Sequence, residues 1–310
     1  MNTKLAIIDL GTNTFHLLIA EKQGDSFHII HRDRQAVKIG KGGINRDMIT
    51  DDGLARALKT LKDFKQKINS AGMAQIFAFG TSALRNAKNG SAVIQEIKKE
   101  TGIEVTVISG DQEAEFICFG VRAALNLGEE KSLIMDIGGG SVEFIIANDT
   151  TIFWKRSFEI GAQRLLEIFH KNDPITKNEI SLLNEYFSEV LKPLMEIINQ
   201  LQPKTLVGSS GTFDTLSDIF CLEENIIRND DDRETPLTLE GFQKIHLQLI
   251  TKNRSQRMAI PGMIEMRVDM IVVASCMIDY LLKNFPFEQI RVSTYALKEG
   301  ALAYLGKQFS

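Results

Sequence analysis

Apolar and polar positions along residues 133 to 147 follow the pattern of a hairpin. An apolar run ends at Asp136, three glycines and Ser141 follow, and a second apolar run leaves through Glu143. Two apolar runs on either side of a glycine-rich turn are typical of antiparallel strands joined by a tight turn. Residues 133 to 147 are therefore predicted to form a hairpin with a polar tip.

Residues 6 to 20 repeat this pattern without a gap. Asp9 aligns with Asp136, and Thr14 aligns with Ser141. An internal repeat of this kind predicts two related halves, each of which presents a hairpin to a shared cleft.

The turn of each hairpin has the composition of a phosphate site. Glycine has no Cβ, so neighbouring glycines let the backbone approach an anion and direct several N–H groups at it. An aspartate at the strand end then lies beside the phosphate, which requires a cation between them. A purely structural hairpin tip is the alternative interpretation. The predicted phosphate ligands in the two turns are Gly11, Thr12, Asn13, Thr14, Gly138, Gly139, Gly140 and Ser141.

Strand and helix patterns alternate over the rest of the chain, which predicts an α/β fold. Residues 32 to 45 are predicted to form a basic, flexible loop that either lines an anion groove or is a solvated turn. Residues 223 to 234 are predicted to form a charged loop. Helices are predicted at about 50 to 72, 91 to 101, 161 to 170, 176 to 201, 261 to 282 and 296 to 305, and strands at 27 to 30, 75 to 79, 104 to 108, 151 to 158 and 290 to 293.

Three further strand ends open into helices through small or hydroxyl residues, the position at which α/β sheets bind ligands. The first carries Arg85, whose guanidinium matches phosphate oxygens with two N–H groups, although a surface ion pair is the alternative. The second carries Glu113, a candidate general base, although acids in a first helical turn often only complement the helix dipole. The third, at Gly211 and Thr212, is another candidate phosphate loop.

Length and composition narrow the class of protein. A chain of 310 residues exceeds the size at which one core keeps growing, so two domains are expected. A net charge of -4 and the absence of a basic cluster argue against nucleic-acid or membrane-surface partners. Three widely spaced cysteines fit a reducing cytoplasm and exclude a cysteine zinc site. No signal peptide or apolar run of membrane-spanning length is recognisable.

Together these motifs resemble the exopolyphosphatase and guanosine pentaphosphate phosphatase (Ppx/GppA) family, in its short two-domain form. The matching segments occur in the order of the family and cover essentially the whole chain. They are Asp9-Leu-Gly-Thr-Asn-Thr-Phe-His, Thr81-Ser-Ala-Leu-Arg-Asn-Ala, Ser109-Gly-Asp-Gln-Glu-Ala, Asp136-Ile-Gly-Gly-Gly-Ser-Val-Glu, Gly208-Ser-Ser-Gly-Thr, Arg267-Val-Asp and Leu297-Lys-Glu-Gly.

The resemblance implies a fold and a division of the chain. The family belongs to the actin, heat-shock-protein and sugar-kinase superfamily, so two ribonuclease-H-like domains are expected to face an interdomain cleft. Residues 1 to 124 are expected to form the N-terminal domain, which helix 296 to 310 joins, and residues 125 to 295 the C-terminal domain. By analogy with the family, a homodimer is also expected.

The resemblance also implies roles for individual residues. Glu113 is expected to be the general base, and Asp136 and Glu143 are expected to be catalytic residues that help hold Mg²⁺ and the attacking water. Asp9 is expected to be a further ligand of Mg²⁺ or another divalent cation. Arg85 and the two hairpin turns are expected to bind the terminal phosphates.

Some positions depart from the pattern of the family. Gln112 replaces a second glutamate, Val142 replaces a threonine, and Ser209-Ser210 replaces a turn that is commonly Gly-Gly. Thr294 replaces an aspartate. Val142 removes a hydroxyl beside the phosphate turn, so weaker phosphate binding is expected.

The function that these observations favour is Mg²⁺-dependent release of terminal phosphate from inorganic polyphosphate. The same chemistry on guanosine pentaphosphate is a close alternative, because the two activities share motifs. Two further alternatives are a non-catalytic protein that binds guanosine tetraphosphate or polyphosphate, and a kinase of the same superfamily. Glu113 favours water as the nucleophile and so argues against the kinase.

Overall fold

The computed structural model describes residues 3–24, 26–72, 74–229 and 231–307. The strands are β1 (Lys4–Leu10), β2 (Phe15–Gln23), β3 (Ser26–Gln35), β4 (Gln75–Gly80), β5 (Val105–Val107), β6 (Ser132–Ile137), β7 (Val142–Ala147), β8 (Ile152–Phe158), β9 (Thr205–Ser209), β10 (Glu234–Thr235) and β11 (Gln289–Ser293). The helices are α1 (Asp51–Ser70), α2 (Ser82–Asn86), α3 (Gly90–Thr101), α4 (Gly110–Ala124), α5 (Ala162–Phe169), α6 (Lys177–Val190), α7 (Lys192–Leu201), α8 (Ser210–Glu223), α9 (Leu239–Thr251), α10 (Arg254–Met258), α11 (Met270–Asn284) and α12 (Leu297–Gly306).

The strands form two sheets with the same topology. The first sheet has the order β3-β2-β1-β4-β5, and the second has the order β10-β11-β9-β6-β7-β8. In each sheet the hairpin strands pair antiparallel, and the first strand of the hairpin pairs parallel with the strand that follows the hairpin unit. The repeat in the sequence is therefore a repeat in structure, and β10 is an addition at the edge of the second sheet.

Helices α4 and α12 pack between the two halves. An apolar cluster combines side chains of α4 and α12, such as Ile117 and Leu302, with Ile7 of the first sheet and Ile134 of the second. Each sheet also has its own cluster on its other face. Burial of apolar surface therefore fixes the beginnings of α4 and α12 beside both hairpins.

Most predicted helices and strands are confirmed, and three predictions are wrong over part of their length. Residues 32 to 35, predicted to begin a loop, belong to β3, where exposed and partly buried positions alternate. The helix predicted from 176 to 201 divides at Leu191 because Pro193 lies in the first turn of α7, where its missing N–H is tolerated. Residues 261 to 269 precede α11 as turns, and Gly262 there adopts a φ of +89°.

The division into domains at residues 124 and 295 stays a prediction. Helix α12 contacts α4, β1, β2 and β3, and residues 308 to 310 of the predicted helix and residues 1 and 2 lie outside the described residues. Among the helices of the described ranges, none has the length and apolar character needed to cross a membrane.

Candidate active site

The two hairpin tips meet at a cavity of about 100 Å³ between the sheets. Both turns line it, as do the strand-end carboxylates of β1 and β6, the first turn of α4 and the start of α12. The structure thus brings together the following predicted site residues: Asp9, Gly11, Thr12, Asn13, Thr14, Glu113, Asp136, Gly138, Gly139, Gly140, Ser141, Glu143 and Gly211. Thr212 is buried next to Gly211 but does not line the cavity.

Close contact between the two halves explains two of the three consecutive glycines. A Cβ on Gly139 would clash with the side chain of Asn13, and a Cβ on Gly140 would clash with Thr12 and Ser82. Gly139 and Gly140 are thus required by the proximity of the first half of the chain, whereas a Cβ on Gly138 would meet only the carbonyl of Ser141 in its own hairpin. The turns of both hairpins are closed by the same hydrogen bond, from the N–H of the first glycine to the carbonyl of the residue three positions on.

The pairing of β1, β2 and β3 places three polar side chains of the first sheet next to one another in one row. Asp9 of β1 pairs with His16 of β2, and His16 pairs with Arg34 of β3. All three side chains line the cavity. Burial and the nearby positive charges of Lys298 and other residues lower the pKa of His16 well below its usual value, so this histidine is neutral at pH 7.

The second sheet presents an equivalent row with a different charge. Asp136 of β6 pairs with Glu143 of β7, and Glu143 pairs with Ser157 of β8. Ser157 donates a hydrogen bond to Glu143 with an Oγ to Oε1 distance of 2.7 Å. Burial and the charges of Glu113 and Asp136 raise the pKa of Glu143 well above its usual value.

Hydroxyl groups hold Asp136 in place. Ser209 and Ser210 donate to its Oδ2 at distances of 2.7 and 2.5 Å. Ser210 has a φ of +67°, a left-handed conformation that costs a residue with a Cβ about 1 kcal/mol. A glycine avoids this strain, but it cannot donate to Asp136. The departure from Gly-Gly therefore adds an orienting hydrogen bond at the expense of backbone strain.

Helix α4 brings Glu113 to the cavity. The Oγ of Ser109 accepts from the backbone N–H of Gln112 at 3.1 Å and caps the helix, which fixes the direction of its first turn. Glu113 is 6% exposed, and burial raises its pKa to about 7, although Arg85 opposes the shift. A carboxylate with a pKa near neutrality is suited to general base catalysis.

Arg85 lies behind the cavity rather than on its wall. Its Nη1 donates to Oε2 of Glu113 at 2.7 Å and to the carbonyl of Ile108 at 3.2 Å, and its Nη2 donates to Oε1 of Glu159 at 2.9 Å. The structure thus places the predicted phosphate ligand next to the predicted base, on two carboxylates. Its direct role with phosphate stays a prediction.

The cavity also has three basic residues. The segment with Arg34 was predicted either to line an anion groove or to form a solvated turn, and Arg267 and Lys298 were not among the predicted site residues. Arg34, Arg267 and Lys298 line the cavity together with Asp214. Their charges act on His16 and Asp214, and those of Arg267 and Lys298 also oppose the rise in the pKa of Asp136. The charges that raise the pKa of Glu143 are those of Glu113 and Asp136. We call Glu113, Asp136 and Glu143 the acidic end of the cavity and Arg34, Arg267 and Lys298 its basic end.

Two buried polar atoms of this cavity fit an absent ligand. Among the residues that the structure describes, the Oδ1 of Asn13 and the Nε of Arg267 are buried without a hydrogen-bond partner. Buried polar groups are normally paired, and a missing partner commonly marks an absent ion, water or ligand. The absence of a Cβ on Gly211 leaves room for the guanidinium of Arg267.

The acidic end fits a divalent cation. Burial raises the pKa of Asp9 to about 8 and raises that of Asp136, and the charge of a neighbouring carboxylate contributes for Asp9. Mg²⁺ needs only one or two protein carboxylates, because water and phosphate oxygens complete its octahedron. No group of three or more candidate metal-binding side chains is found within residues 3–24, 26–72, 74–229 and 231–307, and Mg²⁺ binding by Asp9, Asp136 and Glu143 together stays a prediction.

The structure shows where the residues that depart from the pattern of the family lie relative to the cavity. Val142 is fully buried in the apolar cluster of the second sheet and does not line the cavity, so the expectation that it weakens phosphate binding has no support in the geometry. Gln112 is exposed on α4. The Oγ1 of Thr294, at the cavity edge, donates to the carbonyls of Asp232 and Arg233 at 3.0 and 3.1 Å.

Known proteins resemble this chain in sequence and in overall structure. An exopolyphosphatase from Cytophaga hutchinsonii has a similar structure, with a TM-score of 0.96 and 44% identity over 99% of this chain and 98% of that one. A putative exopolyphosphatase of Haemophilus influenzae is 27% identical over 306 residues, 99% of this chain and 92% of the relative. A guanosine-5'-triphosphate,3'-diphosphate pyrophosphatase of Photobacterium profundum is 26% identical over 95% of this chain and 58% of that longer relative.

The predicted fold class is confirmed: the chain has the α/β fold of the actin superfamily, with two ribonuclease-H-like units that face a cleft. The family model described as the Ppx/GppA phosphatase family matches residues 18–308. The chain belongs to the Ppx/GppA phosphatase family and is an enzyme of the hydrolase type that acts on phosphoanhydride bonds.

Proposed function

We propose that this chain is a Mg²⁺-dependent exopolyphosphatase that releases terminal phosphate from inorganic polyphosphate. The observation that supports this most directly is the position of Glu113, a buried carboxylate with a pKa of about 7, in the cavity that the two glycine-containing turns enclose. Such a group accepts a proton from water near neutral pH.

The charge distribution of the cavity favours one orientation of the polyphosphate chain. The terminal phosphoryl group lies between the turns at residues 11 to 14 and 138 to 141, where backbone N–H groups and hydroxyls bind its oxygens. The remaining phosphates lie over the basic end, against Arg267, Lys298 and Arg34. This orientation places the bond to be cleaved near Glu113, and it satisfies the buried Nε of Arg267.

The protein residues then have distinct tasks. Glu113 removes a proton from the water that attacks the terminal phosphorus in line with the leaving phosphate, and Arg85 restrains its carboxylate. Asp136 and Glu143, with Asp9 from the other hairpin, would hold Mg²⁺. When bound there, the ion would supply neutralisation of the charge on the transferred phosphoryl group. The phosphoanhydride already has a good leaving group, so positioning and charge neutralisation supply most of the catalysis.

A neighbouring cavity supports guanosine pentaphosphate as a second candidate substrate. This cavity of about 1050 Å³ shares Arg34, Asp214 and Thr294 with the first. Its lining combines charged groups with apolar ones such as Ile227 and Tyr295, which suits a nucleoside better than an inorganic chain. The similarity to the pyrophosphatase of Photobacterium profundum favours the same alternative.

Phosphate release tests the proposal. The wild-type protein is assayed with Mg²⁺ on tripolyphosphate, long polyphosphate and guanosine pentaphosphate, and the ratio of rates selects the substrate. We expect Glu113→Gln to lower turnover by about 10² to 10⁴ while substrate binding remains, because a positioned base contributes about that factor. Glu115→Gln, an amide substitution on the same helix that leaves Glu113 intact, is the matched control and is expected to remain active.

Three results would contradict the proposal. Normal turnover in Glu113→Gln removes the assigned base. Equal loss in Glu115→Gln indicates damage to α4 rather than to the chemistry. Binding of polyphosphate or guanosine tetraphosphate without any phosphate release identifies a non-catalytic binding protein.

A further inference from the structure

Glu159 connects the two halves of the chain beside the active site. It follows β8 of the second sheet directly, and its carboxylate reaches α2 of the first half. Its Oε2 accepts from the Oγ of Ser82 at 2.5 Å, and its Oε1 accepts from Nη2 of Arg85 at 2.9 Å. One carboxylate thus engages a hydroxyl of the cavity wall and the guanidinium next to the base.

Both donors that Glu159 engages are suited to phosphate. Ser82 lines the cavity at the second hairpin turn, where its Oγ lies next to Gly140. Arg85 does not line the cavity, and its side chain is 16% exposed. Its Nη1 is held by Glu113, so Nη2, which Glu159 occupies, is the donor that an exchange with phosphate would release.

We propose that Glu159 is an internal competitor that occupies Ser82 and Arg85 until a substrate phosphate replaces it. The proposal rests on the proposed function and on the prediction from the sequence that Arg85 binds the terminal phosphate. An anion of the substrate is exchanged for an anion of the protein, so the affinity for phosphate is lower than the donors alone would give.

The surroundings of Glu159 make this exchange feasible. The side chain of Glu159 is 39% exposed, so its released carboxylate reaches water. Nη2 of Arg164 lies 3.5 Å from its Oε2 and remains as a partner. Arg164 is itself fixed, because its Nε donates to the carbonyl of Gly140 and its Nη1 to the carbonyl of Ile44. Glu159 therefore retains a counter-charge in both states.

Binding of inorganic phosphate tests the exchange. Phosphate is titrated by calorimetry, with Mg²⁺ present, into wild-type protein, Glu159→Gln, Arg85→Gln and the double variant. We expect Glu159→Gln to bind phosphate about fivefold more tightly, since the free energy of a partly exposed ion pair is small and phosphate no longer has to break it. In the Arg85→Gln background the same substitution is expected to change the affinity by less than twofold.

Glu167→Gln is the matched control. Glu167 also bridges the halves, since it accepts from the N–H of Gly42 at 3.3 Å and from Asn45 at 3.2 Å, but it does not contact Arg85. Its substitution removes the same charge from the same interface. We expect it to leave phosphate affinity within about twofold of the wild type.

The calorimetric results distinguish failure of the exchange from failure of the proposed function. Weaker or unchanged binding in Glu159→Gln overturns the proposal, as does an equal gain in Glu167→Gln or a gain that persists without Arg85. Wild-type protein that does not bind phosphate overturns it as well. Tighter binding that depends on Arg85, in a protein that releases no phosphate from polyphosphate, supports the exchange and contradicts only the proposed hydrolase.

Discussion

The two hairpins share their backbone but differ at the residue that pairs with the strand-end aspartate. In the first hairpin Asp9 pairs with the neutral His16, and Arg34 follows on the next strand. In the second, Asp136 pairs with Glu143, and Ser157 follows. One duplicated element has thus produced a row that ends in a cation and a row with two carboxylates. Under the proposed function, both turns bind the terminal phosphoryl group, Arg34 of the first row contacts the following phosphates, and the two carboxylates of the second row hold Mg²⁺ together with Asp9.

The largest expected effect comes from making the second hairpin less acidic. We expect Glu143→Gln to lower turnover by about a hundredfold or more, since Glu143 is proposed to help hold Mg²⁺, and charge stabilisation by a bound ion contributes several kcal/mol. Binding of tripolyphosphate is expected to remain. His16→Gln, at the equivalent position of the first hairpin, is expected to lower turnover by less than tenfold. Steady-state phosphate release measures the turnover of both variants, and calorimetry measures their tripolyphosphate binding. Equal losses of turnover would contradict different roles for the two hairpins.

The next effect concerns the basic end. We expect Arg267→Gln to weaken tripolyphosphate binding by about tenfold to a hundredfold, because a buried charge-assisted hydrogen bond contributes about 1.5 to 3 kcal/mol. Arg34 is exposed, so Arg34→Gln is expected to have a smaller effect. Calorimetric titration with tripolyphosphate distinguishes them. Similar affinities for Arg267→Gln and the wild type would place the phosphates elsewhere.

A steric substitution tests the contact between the hairpins. A Cβ on Gly140 meets Thr12 and Ser82, so we expect Gly140→Ala to lower the free energy of unfolding by about 1 to 3 kcal/mol. Gly138→Ala is the control, because its Cβ lies 3.0 Å from the carbonyl oxygen of Ser141 and meets no side chain of the first hairpin. Urea denaturation measures both variants. A larger loss in Gly138→Ala would contradict the close approach.

The smallest effect is a pH dependence of stability. Burial raises the pKa of Asp214 from 3.8 to about 6, although Lys298 opposes the shift. A raised carboxyl pKa gives a stabilisation that is complete below about pH 4 and is lost as the pH rises through 6. We therefore expect Asp214→Asn to match the wild type at pH 4 and to exceed its free energy of unfolding by about 1 to 2 kcal/mol at pH 7.5. Urea denaturation at both pH values measures this, and a difference that does not change with pH would refute it.

The sequence predicts the parts of the site that are local in the chain. Each hairpin contains its strand end, its turn and its partner residue within 15 consecutive positions, so the pattern places Asp9, Asp136 and Glu143 at the hairpin tips, and the resemblance to the family supplied the role of Glu143. Glu113 was predictable because a strand end opens into a helix there. These predictions depend on neighbouring residues in the chain, whose pattern of apolar and polar positions reflects local structure.

The remaining site residues depend on contacts that periodicity does not record. Arg267 follows a turn and Lys298 opens the last helix, and only the packing of α11 and α12 brings them to the hairpins. Arg34 was predicted to lie in a loop, because the alternating charged residues of β3 resemble a solvated segment when its pairing with β2 is unknown. Glu159 gave no signal, since its partners lie 74 to 77 positions away.

The most direct test of the division between the hairpins is a crystal structure of Glu113→Gln with tripolyphosphate and Mg²⁺. We expect the terminal phosphoryl group to lie between the turns at residues 11 to 14 and 138 to 141. We also expect Mg²⁺ beside Asp136 and Glu143, and the following phosphates on Arg267 and Lys298. A chain bound in the opposite direction, or phosphates that leave the Nε of Arg267 without a partner, would contradict this arrangement.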